Sequence, residues 1–168
     1  GDTNANFLNG GAGDDTIDGK AGIDVINGGA GNDLFTIDFS AIDTIDGGAN
    51  SDTVKFNAFT LTNITSDTNF ISMNSITNIE KLDITALGLT TANPGTEYKF
   101  TDTMIKQWSG SATGTVSLSL TKAQTDRIMF TDNGGVVHDS AINTAGTYSY
   151  TLQDDGTDGS TTLSLIVS

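Results

Sequence analysis

Six positions in the first third of the chain carry an oxygen-bearing side chain at near-constant spacing: Asn6, Asp15, Asp24, Asp33, Asp43 and Asp52. Glycine stands at 1, 10, 19 and 28, nine residues apart, and two positions after each acid or amide comes an apolar residue, namely Leu8, Ile17, Ile26, Phe35, Ile45 and Val54. Carboxylates are hard oxygen donors. Glycine lets a turn fold back tightly and aim main-chain carbonyls inward, where a Cβ would obstruct. The chemistry on offer is the holding of a hard cation, and the short stem of Asp keeps each carboxylate close to the turn that supplies the carbonyls. Catalysis finds no comparable pattern, so no catalytic residue and no enzymatic activity are expected. The one histidine, His138, stands beside Asp139, and neither H-E-x-x-H nor G-x-S-x-G occurs. Neighbours on an extended chain face opposite sides, and His138 reads as a solvated loop residue.

The elements that must position these acids form an array. In a nine-residue register the chain reads GDTNANFLN (1–9), GGAGDDTID (10–18), GKAGIDVIN (19–27) and GGAGNDLFT (28–36). One extra residue, Ile37, precedes DFSAIDTID (38–46) and GGANSDTVK (47–55). Ile37 shifts the register by one residue and reads as a bulge.

These units resemble the calcium-binding nonapeptide repeat of the RTX, or haemolysin-type, family, G-G-x-G-x-D-x-U-x. Units 10–18 and 28–36 fit it fully. Lys20 and Asn50 each replace a glycine, and units 1–9 and 38–46 keep the sixth and eighth positions but lose most of the glycines. The resemblance implies an all-β fold, a right-handed parallel β-roll in which two nonapeptides make one coil and Ca2+ lies between turns stacked every second unit. It then implies that Asp15 faces Asp33, with carbonyls of Gly10, Gly11, Ala12, Gly13, Gly28, Gly29, Ala30 and Gly31 completing the site. Asp33 with Asp52 forms the next site on that edge. Asp24 with Asp43 and, more weakly, Asn6 with Asp24 serve the other. Leu8, Ile26 and Ile45 fall in one thin sheet; Ile17, Phe35 and Val54 fall in the other. All-oxygen ligation suits Ca2+, whereas Mg2+ demands stricter geometry and retains its water.

Composition agrees with a metal-stapled fold. The 168 residues carry a net charge of −14, with 21 acids against 7 bases, so nucleic acid is excluded as a direct partner. No apolar run is long enough to span a membrane. There is no cysteine to form a disulfide. Nineteen of the acids are Asp and only Glu80 and Glu97 are Glu, a bias toward turns rather than helices. Residues 1–54 hold ten Asp against Lys20, a net −9, and the remainder holds −5. Such crowding opposes folding until cations arrive. Three or four Ca2+ would cancel 6 to 8 of those charges. The chain opens inside the pattern and is expected to be a piece of a longer protein.

The division is expected after residue 55, with 1–55 as the calcium-binding roll and 56–168 as a β-rich region that caps it and, by the resemblance of its end described below, contains the export signal. Strands are expected at Glu80–Thr85, Thr115–Thr121, Arg127–Phe130, Thr147–Leu152 and Thr161–Val167, and a short helix at Thr101–Trp108 ending near Gly110. Turns are expected at Asn93-Pro94-Gly95, Asn133-Gly134-Gly135 and Asp155-Gly156. Asp154, Asp155 and Asp158 read as an acidic hairpin tip, with an extra calcium loop as the alternative. SITNIEKLDIT (75–85) and the final SLIVS resemble the C-terminal region of large type I-secreted bacterial adhesins and surface-layer proteins. That resemblance implies a secreted, cell-surface module that meets the type I secretion machinery in transit and serves a host or surface ligand through its parent protein. The alternatives are an accessory domain of a secreted hydrolase and a calcium-dependent carbohydrate-binding module.

Overall fold

The computed structural model describes residues 1–37, 43–57, 75–85, 98–111, 114–120, 128–131, 137–139, 145–152 and 161–167. The chain is built from strands laid down in alternation on two sheets. β1 (Phe7–Ala12), β3 (Val25–Ala30), β5 (Thr44–Ala49) and β7 (Ser75–Thr77) form a four-stranded sheet in that order. β2 (Thr16–Asp18), β4 (Leu34–Ile37), β6 (Thr53–Phe56) and β8 (Lys81–Asp83) belong to the second. Every neighbouring pair among these eight is parallel. This is a β-roll: each pair of nonapeptides makes one coil, and equivalent residues stack on the next.

Register sorts the side chains as the repeat expects. Leu8 pairs with Ile26, Ile26 with Ile45 and Ile45 with Ile76. Across the thin interior, Ile17 pairs with Phe35, Phe35 with Val54 and Val54 with Leu82. The first sheet sends one file of side chains into the interior, and the second adds a further buried row, Ile37 opposite Phe56, beside Phe35 and Val54. Burial deepens along the interior: Leu8 and Ile17 are half-buried, while Phe35, Ile45, Val54, Ile76 and Leu82 are fully enclosed.

The second sheet does not stop with the repeats. β10 (Thr115–Leu120) adds in parallel to β8, β14 (Thr161–Val167) adds in parallel to β10, and β13 (Gly146–Leu152) closes the sheet antiparallel to β14. Leu118 and Leu165 continue the buried file. The first sheet ends at β7, where α1 (Asp102–Ser109) takes over, packing against β7, β10 and β14 through Met104, Ile105 and Trp108. Gly110 ends the helix with φ of +62°, the left-handed turn that suits a helix C-terminus. A third sheet joins β9 (Tyr98–Thr101), β11 (Ile128–Thr131) and β12 (Val137–Asp139).

Two expectations are corrected. Ile37 is not a bulge: it is a regular β4 residue paired with Phe56 and 1% exposed. The change from 18- to 19-residue spacing is real: Ile17 pairs with Phe35, and Phe35 with Val54. His138 is not in a loop but in β12, opposite Phe130 of β11. The turns at 93–95, 133–135 and 155–156, and the acidic group Asp154, Asp155 and Asp158, lie outside the described residues.

Candidate metal centre

Turn shape comes first, because it decides where oxygens can point. The second position of the unit has positive φ in every described copy that resembles the consensus: Gly11 (+103°), Lys20 (+64°), Gly29 (+109°) and Gly48 (+100°). The fourth does likewise at Gly13 (+106°), Gly22 (+125°), Gly31 (+139°) and Asn50 (+93°). The glycine pattern is thus a backbone requirement, and Lys20 and Asn50 meet it under strain that glycine avoids.

On these turns the sixth-position acids form two ladders. Along one edge, the N–H of Asp15 donates to Asp33 Oδ1 and that of Asp33 to Asp52 Oδ1, each at 2.8 Å. Along the other, Asn6 N–H donates to Asp24 Oδ1 and Asp24 N–H to Asp43 Oδ1, each at 2.9 Å. The carbonyls of Asp15 and Asp33 accept from Leu34 and Thr53 of the next coil, at 2.9 and 2.8 Å. One carboxylate oxygen per rung is thereby committed to the backbone.

The other oxygen is not. Oδ2 of Asp15, Asp24, Asp33 and Asp52 is buried with no hydrogen-bond partner. Asp24, Asp33 and Asp52 are 0–1% exposed as whole residues. A buried carboxylate oxygen without a donor or counter-charge costs several kcal/mol. Among the described residues no three acidic or imidazole side chains converge on one point, so any cation must draw on the backbone as well. It can. The space a Cβ would fill on Gly10 lies 2.5 Å from Asp15 Oδ2 and 2.7 Å from the Gly28 carbonyl oxygen. On Gly28 the same space meets Asp33 Oδ2 and the Gly47 carbonyl. Each is a notch in which a carboxylate from one coil and a carbonyl from the next come together, kept open by glycine. Orphaned hard donors, main-chain carbonyls and accumulated negative charge fit Ca2+.

The two edges are not equivalent. At Gly19 the corresponding space meets Asp24 Oδ2 at 2.7 Å and then Ile26 Cδ1 at 3.1 Å, with no carbonyl from the next coil among its nearest atoms. The residue 18 positions beyond Gly19 is Ile37, which is paired in β4. The first rung is closed differently again. Asn6 Oδ1 accepts the Asp2 N–H at 2.7 Å and Asn6 Nδ2 donates to Asp2 Oδ1 at 3.2 Å, so this amide is satisfied within its own loop. Hydrogen bonds, first from the Asn4 N–H and then from the Asn6 and Asn4 side chains, lower the Asp2 pKa.

Charge bears hardest on Asp52, whose pKa is raised. Burial is the main cause. The Asp33 N–H pulls the other way, and the charges of Asp33, Glu80 and Asp46 add to the rise. The structure also reveals a second ladder on this edge that the sequence pattern did not single out. Asp14 Oδ1 accepts the Asn32 N–H at 2.7 Å and Asn32 Oδ1 accepts the Ser51 N–H at 3.1 Å. Three different residue types share that fifth position, so no repeat was visible there. Glu80 was likewise missed: it accepts the Asp52 N–H at 2.8 Å.

Comparison with known families accords with this geometry. Residues 1–35 and 40–58 match the family model of the RTX calcium-binding nonapeptide repeat, in 4 copies. No curated protein and no solved structure matches the chain.

Proposed function

Residues 1–58 carry RTX calcium-binding nonapeptide repeats, and from that premise we propose that the chain is a non-catalytic structural module of a secreted bacterial surface protein of the adhesin type, folded by calcium outside the cell after type I secretion. The array binds Ca2+, and such repeats are typical of secreted proteins. The observation that carries the reading is the row of orphaned Asp Oδ2 atoms set beside glycine notches.

The ligand assignment follows the better-formed edge. Asp15 and Asp33 with carbonyls of Gly10, Gly11, Ala12, Gly13, Gly28, Gly29, Ala30 and Gly31 hold one ion, and Asp33 with Asp52 holds the next. Asp24 with Asp43 offers a poorer site because no carbonyl of the next coil is among the atoms nearest the Gly19 notch, and Asn6 with Asp24 is poorer still. Bound Ca2+ supplies the positive charge that the orphaned oxygens lack. Residues 1–55 are then the calcium-loaded part, and 56–168 the capping part with the export signal.

Energetics make this a folding switch. An ion that binds only the folded array stabilises it by about 2.7 kcal/mol per site at a hundred times Kd. Extracellular modules bind at roughly 10⁻⁴–10⁻³ M, so the sites stay empty in a cytoplasm and fill outside. Circular dichroism of the full chain tests the reading. Strand signal should rise steeply between micromolar and millimolar calcium, and equal strand content in EDTA and in calcium would sink the switch.

A further inference from the structure

The acid ladder takes one more step than the repeats supply. Glu80 accepts the Asp52 N–H through Oε2 at 2.8 Å, as Asp33 and Asp52 accept from Asp15 and Asp33 at 2.8 Å. The Lys81 N–H returns to the Asp52 carbonyl at 3.0 Å, the bond that Thr53 and Leu34 make one and two coils earlier. Strand register continues through it, with Thr53 opposite Lys81 and Val54 opposite Leu82. In ladder terms Glu80 is the next acid, although it stands 28 residues beyond Asp52.

The carbonyl is present as well. The space beside Gly47 lies 2.7 Å from Asp52 Oδ2 and against the main-chain oxygen of Asn78, which occupies the place taken by the Gly28 and Gly47 oxygens at the earlier notches. Asn78 reaches this position with φ of +53°, and its side-chain Nδ2 is tied to Asp46 Oδ1 at 2.7 Å. The independent sign of a ligand is Asp52 itself, 0% exposed, with Oδ2 aimed into the notch and unpartnered.

A purely hydrogen-bonding cap explains less. The opposite end of the other ladder is closed by a neutral amide, Asn6, whose polar atoms are satisfied by Asp2. Here the closing group is a second carboxylate set against a buried one, which is unfavourable unless a cation lies between them. We propose that Asp52, Glu80 and the Asn78 carbonyl hold a further calcium ion at the seam between the repeat array and the C-terminal region. The proposal rests on the array binding calcium. Its consequence is mechanical: the Ile79 N–H donates to the Trp108 carbonyl and Gln107 Nε2 to the Ile76 carbonyl, so an ion at this rung braces α1 against the roll.

The test uses the full chain and Glu80→Gln, which removes the charge while keeping an oxygen for the Asp52 N–H. Native mass spectrometry at matched free calcium should count one ion fewer in Glu80→Gln. The fluorescence of Trp108, the one tryptophan in the sequence, should respond to calcium in the native chain. Its midpoint should rise roughly tenfold or more in the variant, as loss of a ligand charge implies. An unchanged count with an unchanged midpoint overturns the proposal. A native chain that binds no calcium overturns the array reading and this one with it. Hydrogen exchange on the unmodified chain decides the matter without a substitution. Protection of 75–85 should depend on calcium together with 43–57, and calcium-independent protection of 75–85 alone refutes the bracing ion.

Discussion

A carboxylate with one oxygen bonded to the backbone and the other bare is held in shape for a partner it does not find in the chain. Asp33 is the most exposed to this logic, because it lies between two notches. Replacing it with Asn keeps the Oδ1 acceptor and removes the charge. In calcium the Asp33→Asn chain should lose two ions where Asp15→Asn loses one, and should be destabilised by about 3–5 kcal/mol, the cost of breaking a buried charge pair. In EDTA the sign reverses: Asp33→Asn removes an uncompensated buried charge and should retain more strand signal than the parent. Melts in calcium and circular dichroism in EDTA check the two signs. Asp52 makes the same argument with protons. Its folded-state pKa is raised above the ordinary 3.8, so the metal-free fold binds the proton more tightly than the unfolded chain does. That fold therefore gains stability as pH falls through the raised value, the gain being complete below 3.8. With calcium present, acid competes with the metal and stability falls. From pH 7 to 4 the strand content in EDTA should thus rise, while the urea midpoint in calcium should fall.

The coil is the element that turns these residues into sites, and its notches depend on position-one glycine. A Cβ on Gly28 would collide with Asp33 Oδ2, the Gly47 carbonyl oxygen and Phe35 Cζ. Gly28→Ala should therefore abolish at least one calcium and lower the melting temperature in calcium far more than Gly11→Ala, whose Cβ would meet open space. Gly11 does have φ of +103°, so the second variant reports the cost of turn strain alone. Calorimetric titration of the two variants separates ligation from strain. Much of this was legible in sequence, because each coil repeats the same demands every nine residues: left-handed turn, acid, inward apolar side chain. The sorting of Leu8, Ile26 and Ile45 against Ile17, Phe35 and Val54 followed from the resemblance to the nonapeptide repeat. What escaped lies where the period breaks. Glu80 follows Asp52 by 28 residues, its unit has Asn78 in place of glycine, and no local count connects them. Ile37 looked like an insertion because it disturbs the count, yet in space it is an ordinary buried strand residue. His138 sits in a three-residue strand, too short to show alternation. The helix was readable from its caps, the continuation of the second sheet beyond β8 only in part.

On the scale of the molecule, one seven-stranded sheet runs from β2 to β13, so array and C-terminal region share one continuous core of buried side chains. The two ends of that core differ. At one end α1 and the antiparallel β13 cover it, with Trp108 1% exposed and Val116, Leu118 and Leu163 fully buried. At the other, Leu8 and Ile17 are only half-covered and Phe7 is 74% exposed. Hydrogen exchange in saturating calcium should therefore grade along the sheet, slowest in 114–120 and fastest in 7–18, because opening from the bare end breaks the fewest contacts. Uniform protection from end to end would contradict this. Such a sheet has a direction, like a zip with one end sewn shut. Each coil docks on the one that follows it in sequence, 18 or 19 residues away, and therefore closes only a short loop to join a rung already in place. The finished end acts as a template, and every coil laid on it becomes the template for the coil before.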